Sequence, residues 1–238
     1  MKAVVQCGGK GTRLRPYTSV LPKPLMPIGA RPVLELLLKW LRRNGIEDIY
    51  VTTGYLSHLI RSFCGNGRQW GVRLEYTQES EPLGTIGPLA LLRDELDCTF
   101  LVINGDVLTD LNLKAFLACH RSHGHPLTIA TTFRPIKMDY GVVDDTDGVV
   151  TNFREKPTLL NSVSMGAYCM EPEILDLIPD GTPFGFDDLV INMIDRKIPV
   201  HTYRHSGIWL DIGRTEDFHK AQEIEWDEQS PALLQIAV

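Results

Sequence analysis

The stretch that decides the fold stands near the start of the chain, where residues 2–29 read KAVVQCGGKGTRLRPYTSVLPKPLMPIG. The apolar run KAVVQ is typical of a short buried strand, and Gly8, Gly9 and Gly11 follow it closely. Glycines after a strand allow backbone N–H groups to turn inward toward a ligand. Between residues 7 and 29 there is no acidic residue, although four basic residues occur. We therefore expect a binding site for a polyanion at the end of this strand.

Two of these basic residues are held more rigidly than a solvated surface charge requires. Arg13 comes just after the glycine turn in GTRL, and Lys23 lies between two prolines that stiffen its backbone in PKP. The glycine spacing matches neither the GxGxxG of dinucleotide-binding folds nor the GxxxxGK[ST] of P-loop NTPases. A plain turn would explain the glycines, but it would not explain the basic cluster. We therefore expect Arg13 and Lys23 to contact phosphate.

The composition of the whole chain limits the classes of partner that it can bind and the cellular compartment in which it is expected. A net charge of −6 over 238 residues argues against nucleic-acid binding, which needs a broad basic surface. No apolar run reaches the length of a membrane span, and the start of the chain lacks a signal-peptide pattern, so no membrane partner is expected. The five cysteines are far apart and form no CxxC pair, which is typical of reduced residues in a cytoplasmic protein.

The hydrophobic pattern changes near Asn112. Before it, short apolar strands alternate with amphipathic helices, including GPLALLRDEL at 87–96, and this alternation predicts a mostly parallel sheet. After it come several strands, with a hairpin turn predicted at DDTDG, residues 144–148. The predicted organisation is one domain at 1–226, with halves at 1–111 and 112–226, and a C-terminal tail at 227–238.

Two aspartates that follow apolar strands predict a magnesium site. Asp106 ends the run LVINGD, and Asp211 ends the run IWLD. Ligands of open α/β sheets bind beyond the carboxyl ends of the strands, so we expect these two strand ends to be neighbours. Mg²⁺ commonly binds one or two carboxylates together with substrate phosphates. Asp110 is instead expected to cap the helix that begins near Asn112.

Other polar clusters each have a simple structural interpretation. Glu155 and Lys156 in NFREKP could form an ordinary charged strand end, or they could bind hydroxyls and a second phosphate. The histidines of CHRSHGH, residues 119–125, are typical of a solvated helix end rather than a metal site. His201 and His205 are four residues apart in a strand pattern, and no third ligand accompanies them in the sequence.

Seven segments occur in the order found in one enzyme family. They are GGKGTRLRPYTSVLPKPLMPIG, EPLGTIGPLAL, NGDV, YGVV, REKP, SMGAYCMEPEIL and IWLDIG. On these segments the chain resembles the sugar-phosphate nucleotidylyltransferases, or NDP-sugar pyrophosphorylases, through about Ala221. The motifs are most similar to those of mannose-1-phosphate guanylyltransferases. The resemblance implies a Rossmann-like three-layer α/β sandwich with a mixed, mostly parallel central sheet and a β-rich sugar-binding half.

The resemblance also implies a reaction, a cofactor and a set of site residues. In this family an NTP and a sugar 1-phosphate give an NDP-sugar and pyrophosphate, with Mg²⁺ as the cofactor. Dimers and tetramers are common in it, so a homo-oligomer stays open. The implied roles are Arg13 and Lys23 in catalysis; Gly8, Gly9, Gly11, Thr12, Glu79 and Gly84 in nucleotide binding; Gly141, Glu155, Lys156 and Ser164 in sugar-phosphate binding; and Asp106 and Asp211 as metal ligands.

Glu79, which stands five residues before Gly84, indicates which nucleobase the NTP carries. Thymidylyl-transferring relatives carry a glutamine there. A carboxylate only accepts hydrogen bonds, and guanine presents two donors, N1–H and N2–H, on its Watson–Crick edge. We therefore favour GTP, while UTP, dTTP and other NTPs stay open.

The sugar is expected to be mannose 1-phosphate, with other hexose, heptose and cyclitol phosphates as alternatives. Ser164 begins the tripeptide SMG, where the family usually has Asn-Ala-Gly, and that asparagine contacts sugar hydroxyls. An alternative of another class is a catalytically silent regulatory subunit that binds NDP-sugar. Such proteins usually lose a metal-binding aspartate or a basic loop residue, and this chain retains both kinds.

Overall fold

A computed structural model of the chain describes residues 1–79 and 81–226, so the predicted tail at 227–238 lies outside the described residues. The strands are β1 (Lys2–Cys7), β2 (Pro27–Ile28), β3 (Arg31–Pro32), β4 (Asp48–Thr53), β5 (Arg73–Gln78), β6 (Phe100–Asn104), β7 (Val107–Thr109), β8 (Leu127–Lys137), β9 (Val142–Thr146), β10 (Val149–Arg154), β11 (Thr158–Met170), β12 (Val200–Arg204) and β13 (Trp209–Asp211). The α-helices are α1 (Val33–Arg43), α2 (Ser57–Cys64), α3 (Leu113–His123), α4 (Phe186–Asp195) and α5 (Thr215–Gln222).

A seven-stranded sheet in the order β12-β8-β11-β6-β1-β4-β5 forms the centre of the molecule. β1 runs parallel to β4 and β6, β4 runs parallel to β5, and β12 runs parallel to β8. β11 is antiparallel to both of its neighbours, β6 and β8. Six strands therefore point the same way and one is reversed, which confirms the predicted mixed, mostly parallel sheet.

Each face of this sheet carries its own apolar core. Along β1, Ala3 and Val5 pack into one core and Val4 into the other, as the two-residue period of a strand requires. Helices α1, α2, α3 and α5 contribute to the first core, whereas α4, the segment before β6 and the segment after β11 contribute to the second. The result is the three-layer sandwich that the resemblance implied. None of the described helices is both long enough and apolar enough to cross a membrane.

Two local predictions are wrong. The segment 87–96 was expected to be an amphipathic helix, but it forms a 3-10 helix at Gly87–Leu92, in which Leu89 N–H donates to Ile86 O at 2.9 Å. The backbone N–H groups of Ile86 and Gly87 both donate to Phe184 O at 3.0 Å, so tertiary contacts that leave no local sequence pattern set the start of this segment. The cap of α3 is Asn112, whose side chain accepts from Ala115 N–H at 3.0 Å, and not Asp110.

The second half extends the sheet into a long arm. β8 and β11 pair beyond the central sheet, and β9 and β10 form the hairpin predicted at residues 144–148. β13 lies outside the central sheet, where it pairs antiparallel with β7 so that Asp211 is opposite Val107. This small ladder brings Asp211 close to Asp106 by a route that differs from the neighbouring parallel strands we expected.

Candidate active site

A cleft of about 770 Å³ opens at the carboxyl ends of β1, β4 and β6. Its lining includes the predicted glycines Gly8, Gly9 and Gly11, which follow β1 directly. Gly11 has a φ of +61°, and a Cβ there would lie 3.2 Å from the Cβ of Lys23 and would also press on Thr18. Glycine is therefore required at this position both by the backbone angle and by the close approach of the PKP segment.

Lys23 occupies the middle of the charged part of the site. Its ammonium contacts the carboxylate of Asp106 and lies 3.3 Å from Asp211 Oδ1. Burial lowers the pKa of Lys23, and the charge of Asp211 opposes that shift. Arg13 lies at the more exposed edge, with its guanidinium 3.8 Å from Asp211 Oδ2. The structure thus brings together two predicted basic residues and two predicted acidic residues that are far apart in the sequence.

A buried ion pair supports Asp211 from behind. The Arg134 guanidinium donates two hydrogen bonds, of 2.7 and 2.6 Å, to the two carboxylate oxygens of Asp217. Asp217 is 1 % exposed, and its Oδ2 also accepts from the backbone N–H of Asp211 at 3.0 Å. These hydrogen bonds therefore connect β8, α5 and β13 beside Asp211.

Glu79 lies at the end of β5 and faces the glycine turn. Its Oε2 accepts from the backbone N–H of Leu83 at 2.8 Å, and a Cβ at Gly8 would collide with its Oε1. Burial raises the pKa of Glu79, and the Leu83 hydrogen bond opposes this rise. One carboxylate oxygen is thus used inside the protein, and the other is directed toward the cleft lining.

Thr12 and Gly84 also line the cleft. Gly84 has a φ of +80°, and a Cβ on it would lie 2.7 Å from the carbonyl oxygen of Phe184. That same carbonyl accepts from the backbone N–H groups of Ile86 and Gly87, each at 3.0 Å. Gly84 therefore allows the GTIGPL segment to pack directly against the backbone before α4.

The predicted sugar-phosphate residues lie outside the cleft lining. Gly141 packs against Phe153 and Glu155, and the Lys156 ammonium lies 4.0 Å from Glu155 Oε1, all on the arm around β9 and β10. The side chains of Glu155 and Lys156 are 64 % and 57 % exposed. In the part of the chain that the structure describes, these residues thus form a separate group outside the cleft lining.

Ser164 lies on β11 at the irregularity in the pairing with β8. Its hydroxyl donates to the hydroxyl oxygen of Tyr168 and accepts from Gly166 N–H, both at 3.3 Å. Gly166, with a φ of +68°, lies directly against the side chain of Asn104, which lines the cleft. The SMG segment therefore reaches the cleft through Gly166 rather than through Ser164.

A family model described as nucleotidyl transferase matches residues 2–228 of the chain. The chain belongs to this family. It is 35 % identical to the UTP--glucose-1-phosphate uridylyltransferase of Synechocystis sp., over 93 % of this chain and 62 % of that protein. It is 33 % identical to the mannose-1-phosphate guanyltransferase of Candida albicans, over 92 % of this chain and 62 % of that protein. The chain thus spans about three fifths of the length of these two relatives.

Solved structures of similar shape agree with this membership. The crystal structure of HddC from Yersinia pseudotuberculosis matches with a TM-score of 0.74 and 26 % identity, over 93 % of this chain and 98 % of that one. A second structure of HddC, complexed with GMP-PN, matches with a TM-score of 0.71. Both support the Rossmann-like α/β fold of a nucleotidyl transferase.

The residues of this nucleotidyl transferase fit a divalent metal ion, which the family generally uses. The carboxylates of Asp106 and Asp211 converge on a single cation, the Lys23 ammonium. Carboxylate oxygens are the ligands preferred by hard divalent ions. The same two side chains could hold a divalent metal ion.

Several cleft residues were not predicted from the sequence of this nucleotidyl transferase. They include Gln6 near the end of β1, Tyr55 after β4, and Asn104 at the end of β6. The side-chain amide of Gln6 donates to the backbone carbonyl of Thr85 and so joins β1 to the GTIGPL segment. The sequence pattern could have identified these residues, because each polar residue follows or ends an apolar strand in the same way as Asp106.

Proposed function

We propose that this chain transfers a nucleotidyl group from an NTP to a sugar 1-phosphate and releases pyrophosphate. The observation that carries the proposal is the convergence of Arg13, Lys23, Asp106 and Asp211 beside the glycine turn at the carboxyl ends of the strands. With a divalent ion held by the two aspartates, the two basic residues give this cluster the net positive charge that a triphosphate needs. The relatives named above are enzymes that act on sugar 1-phosphates.

In the proposed reaction an oxygen of the sugar phosphate attacks the α-phosphorus of the NTP in line. One P–O bond forms there as the bond to pyrophosphate breaks, so atoms and charge balance without an added reactant. Little covalent chemistry is left for the protein, and positioning and charge neutralisation carry catalysis.

Each cleft residue then has a physical role. The N–H groups of the turn at Gly8, Gly9 and Gly11, with Thr12, bind the phosphates, and Arg13 and Lys23 stabilise the charge that develops on the leaving pyrophosphate. Asp106 and Asp211 would hold Mg²⁺, which supplies positive charge to the phosphate oxygens when it is bound. Gly84 shapes the nucleotide side of the cleft.

The arm of the second half is assigned to the sugar phosphate. Lys156 would bind the phosphate of the sugar, and Glu155, with the Gly141 backbone and Ser164, would face its hydroxyls. The exposure of Glu155 and Lys156 leaves their hydrogen-bonding groups available for a ligand. On this assignment residues 1–111 bind the nucleotide and residues 112–226 bind the sugar, within one domain.

We favour GTP and mannose 1-phosphate as the substrate pair. The relative from Candida albicans is named for these substrates, and HddC has been crystallised with GMP-PN. The second carboxylate oxygen of Glu79, Oε1, can accept from the donors on the guanine edge. The uridylyltransferase relative, with 35 % identity, makes UTP and glucose 1-phosphate the second candidate pair.

All five cysteines lie in the described part of the chain and are free, which suits work in a reducing compartment such as the cytoplasm.

The test is pyrophosphate release with Mg²⁺, crossing GTP, UTP, dTTP, CTP and ATP with mannose, glucose and heptose 1-phosphates. We expect the highest rate with GTP and mannose 1-phosphate, and a loss of several orders of magnitude in Asp106→Asn, which keeps the side-chain volume. Equal turnover in Asp106→Asn would remove this residue from the mechanism. If no pair releases pyrophosphate although the protein binds an NDP-sugar, the chain is a silent binding subunit and the proposal fails.

A further inference from the structure

Three metal-ligating side chains converge at the end of α3, away from the cleft. Cys119 and His123 of α3 and His201 of β12 each offer one ligand atom, and these atoms all lie within 4.8 Å of one another. We propose that Cys119, His123 and His201 form a binding site for a transition-metal ion of the zinc class. The expectation of a merely solvated helix end overlooked the third ligand, which comes from a strand that is distant in the sequence.

The local fold explains why these side chains meet. Cys119 and His123 are four residues apart on α3 and therefore share one face of the helix. β12 is the edge strand of the sheet, and His201 is paired in register with Thr128 of β8. The rings of His123 and His201 have centroids 4.0 Å apart. A metal ion here would join the end of α3 to the edge strand.

A hydrogen-bonded chain fixes the tautomer of His123. Its Nδ1 must accept, because its partner at 3.0 Å is the backbone N–H of His125. The proton of the neutral ring is therefore on Nε2, which donates to the hydroxyl of Thr128 at 3.0 Å. A defined outer partner of this kind orients histidine ligands in metal sites.

This series of hydrogen bonds continues into the protein interior and ends at the carboxylate of Glu171. The Thr128 hydroxyl donates to His120 Nδ1 at 2.7 Å, and His120 Nε2 donates to Glu171 at 3.1 Å. Thr128 and His120 are almost fully buried. The only lone pair of the His123 ring is thus on Nδ1, and a metal ion would replace the His125 N–H as its partner.

The donor set indicates which metal the site would bind. A thiolate and two imidazoles suit zinc and similar transition metals, whereas Mg²⁺ and Ca²⁺ prefer oxygen. Ligand atoms of a tetrahedral zinc ion lie about 3.6 Å apart, given its usual bond lengths. Small side-chain rotations would close the present spacing to that value, and the three ligands would leave one position for water.

This site is remote from the proposed reaction. Thr128 and His201 are the second residues of β8 and β12, which run parallel to β1 and β6. The cleft lies at the carboxyl ends of those strands, so the metal site lies at the opposite, amino-terminal end of the parallel strands. A bound metal ion would stabilise the packing of α3 against β12, and pyrophosphate release would not require it.

Titration with Co²⁺ tests the proposal, because tetrahedral cobalt bound to a thiolate absorbs through sulfur-to-metal charge transfer. We expect one equivalent to bind with this absorption, and Zn²⁺ to displace it. Cys119→Ser should lose the absorption, and His201→Ala should weaken binding at least tenfold. With excess Mg²⁺ present to occupy the carboxylates of the cleft, Zn²⁺ should raise the melting temperature of the unmodified chain but of neither variant.

Cys98→Ser and His219→Ala are matched controls, since both residues are exposed elsewhere on the molecule. They should bind cobalt as the unmodified chain does. The proposal is overturned if the unmodified chain shows no thiolate absorption, or if Cys119→Ser binds cobalt like Cys98→Ser. His201 is exposed, so its substitution should leave the fold intact, which circular dichroism can verify.

Discussion

Lys23 pairs with two carboxylates in the cleft and, in the proposed reaction, binds phosphate instead. Its side chain is 13 % exposed, and those of Asp106 and Asp211 are 15 % and 23 % exposed. Without the ammonium, two partly buried carboxylates would face each other with little water to screen them. The stability of this site therefore depends on a cation between the two aspartates.

This dependence predicts the behaviour of Lys23→Met. Without divalent ions the variant should lose about 3 kcal/mol of stability, because the two acids lose their buried partner. Excess Mg²⁺ should raise its melting temperature more than that of the unmodified chain, since no lysine competes for the site. Thermal melts with EDTA and with Mg²⁺ measure this difference. Lys10→Met, an exposed substitution in the same cleft, is the control, and an equal Mg²⁺ response in both variants would contradict the assignment.

Glu79 predicts a change of base preference. In Glu79→Gln the amide oxygen can still accept from Leu83 N–H, which leaves the NH₂ group facing the cleft. A donor would then face the donors of guanine, so the kcat/KM ratio of GTP to UTP should fall about tenfold, as expected for one lost hydrogen bond. Steady-state kinetics with both nucleotides measures the ratio. Glu81→Gln, which also changes a cleft carboxylate, should leave it unchanged; an unaltered ratio in Glu79→Gln would refute the base argument.

At the scale of elements, the Arg134–Asp217 pair joins β8, α5 and β13 behind the cleft. Asp217→Asn should deprive the largely buried Arg134 guanidinium of the carboxylate that pairs with it, at a cost of about 3 kcal/mol. The melting temperature should fall by about 10 °C. Turnover should fall as well, because an amide can accept only one of the two Arg134 hydrogen bonds and so holds the backbone beside Asp211 less firmly. Glu223→Gln, an exposed residue just after α5, is the control. A melting temperature equal to that of the control would show that the pair does not hold these elements together.

The elements also show what the sequence could predict. The strands around the cleft were predicted because apolar runs alternate with amphipathic helices, and local patterns reveal that alternation. The pairing of β13 with β7 was not predicted, because register between distant short strands leaves no local pattern. The same reason hid Arg134 and Asp217, which are 83 residues apart and resemble ordinary surface charges in the sequence. The cap of α3 was misassigned because Asp110 instead pairs with His205, a contact made only in the folded chain.

At the scale of the whole molecule, one sheet runs through both predicted halves. β11 of the second half pairs with β6 of the first half, and the β7–β13 ladder joins the halves a second time. The apolar core around β1 likewise includes residues of both halves, among them Val5 and Ala167. Neither half has a complete core of its own, so the described chain should unfold as one cooperative unit.

We therefore expect a single thermal transition, with the same midpoint by far-ultraviolet circular dichroism and by tryptophan fluorescence. The tryptophans report on both halves, since Trp40 and Trp70 lie in the first, and Trp209 and Trp226 in the second. A nucleotide that binds only the folded state at about 100 times its Kd should stabilise it by about 2.7 kcal/mol and shift both signals equally. Inorganic sulfate at equal ionic strength controls for general effects of salt. Two transitions, with only one of them moved by the nucleotide, would mean that the halves are separate domains.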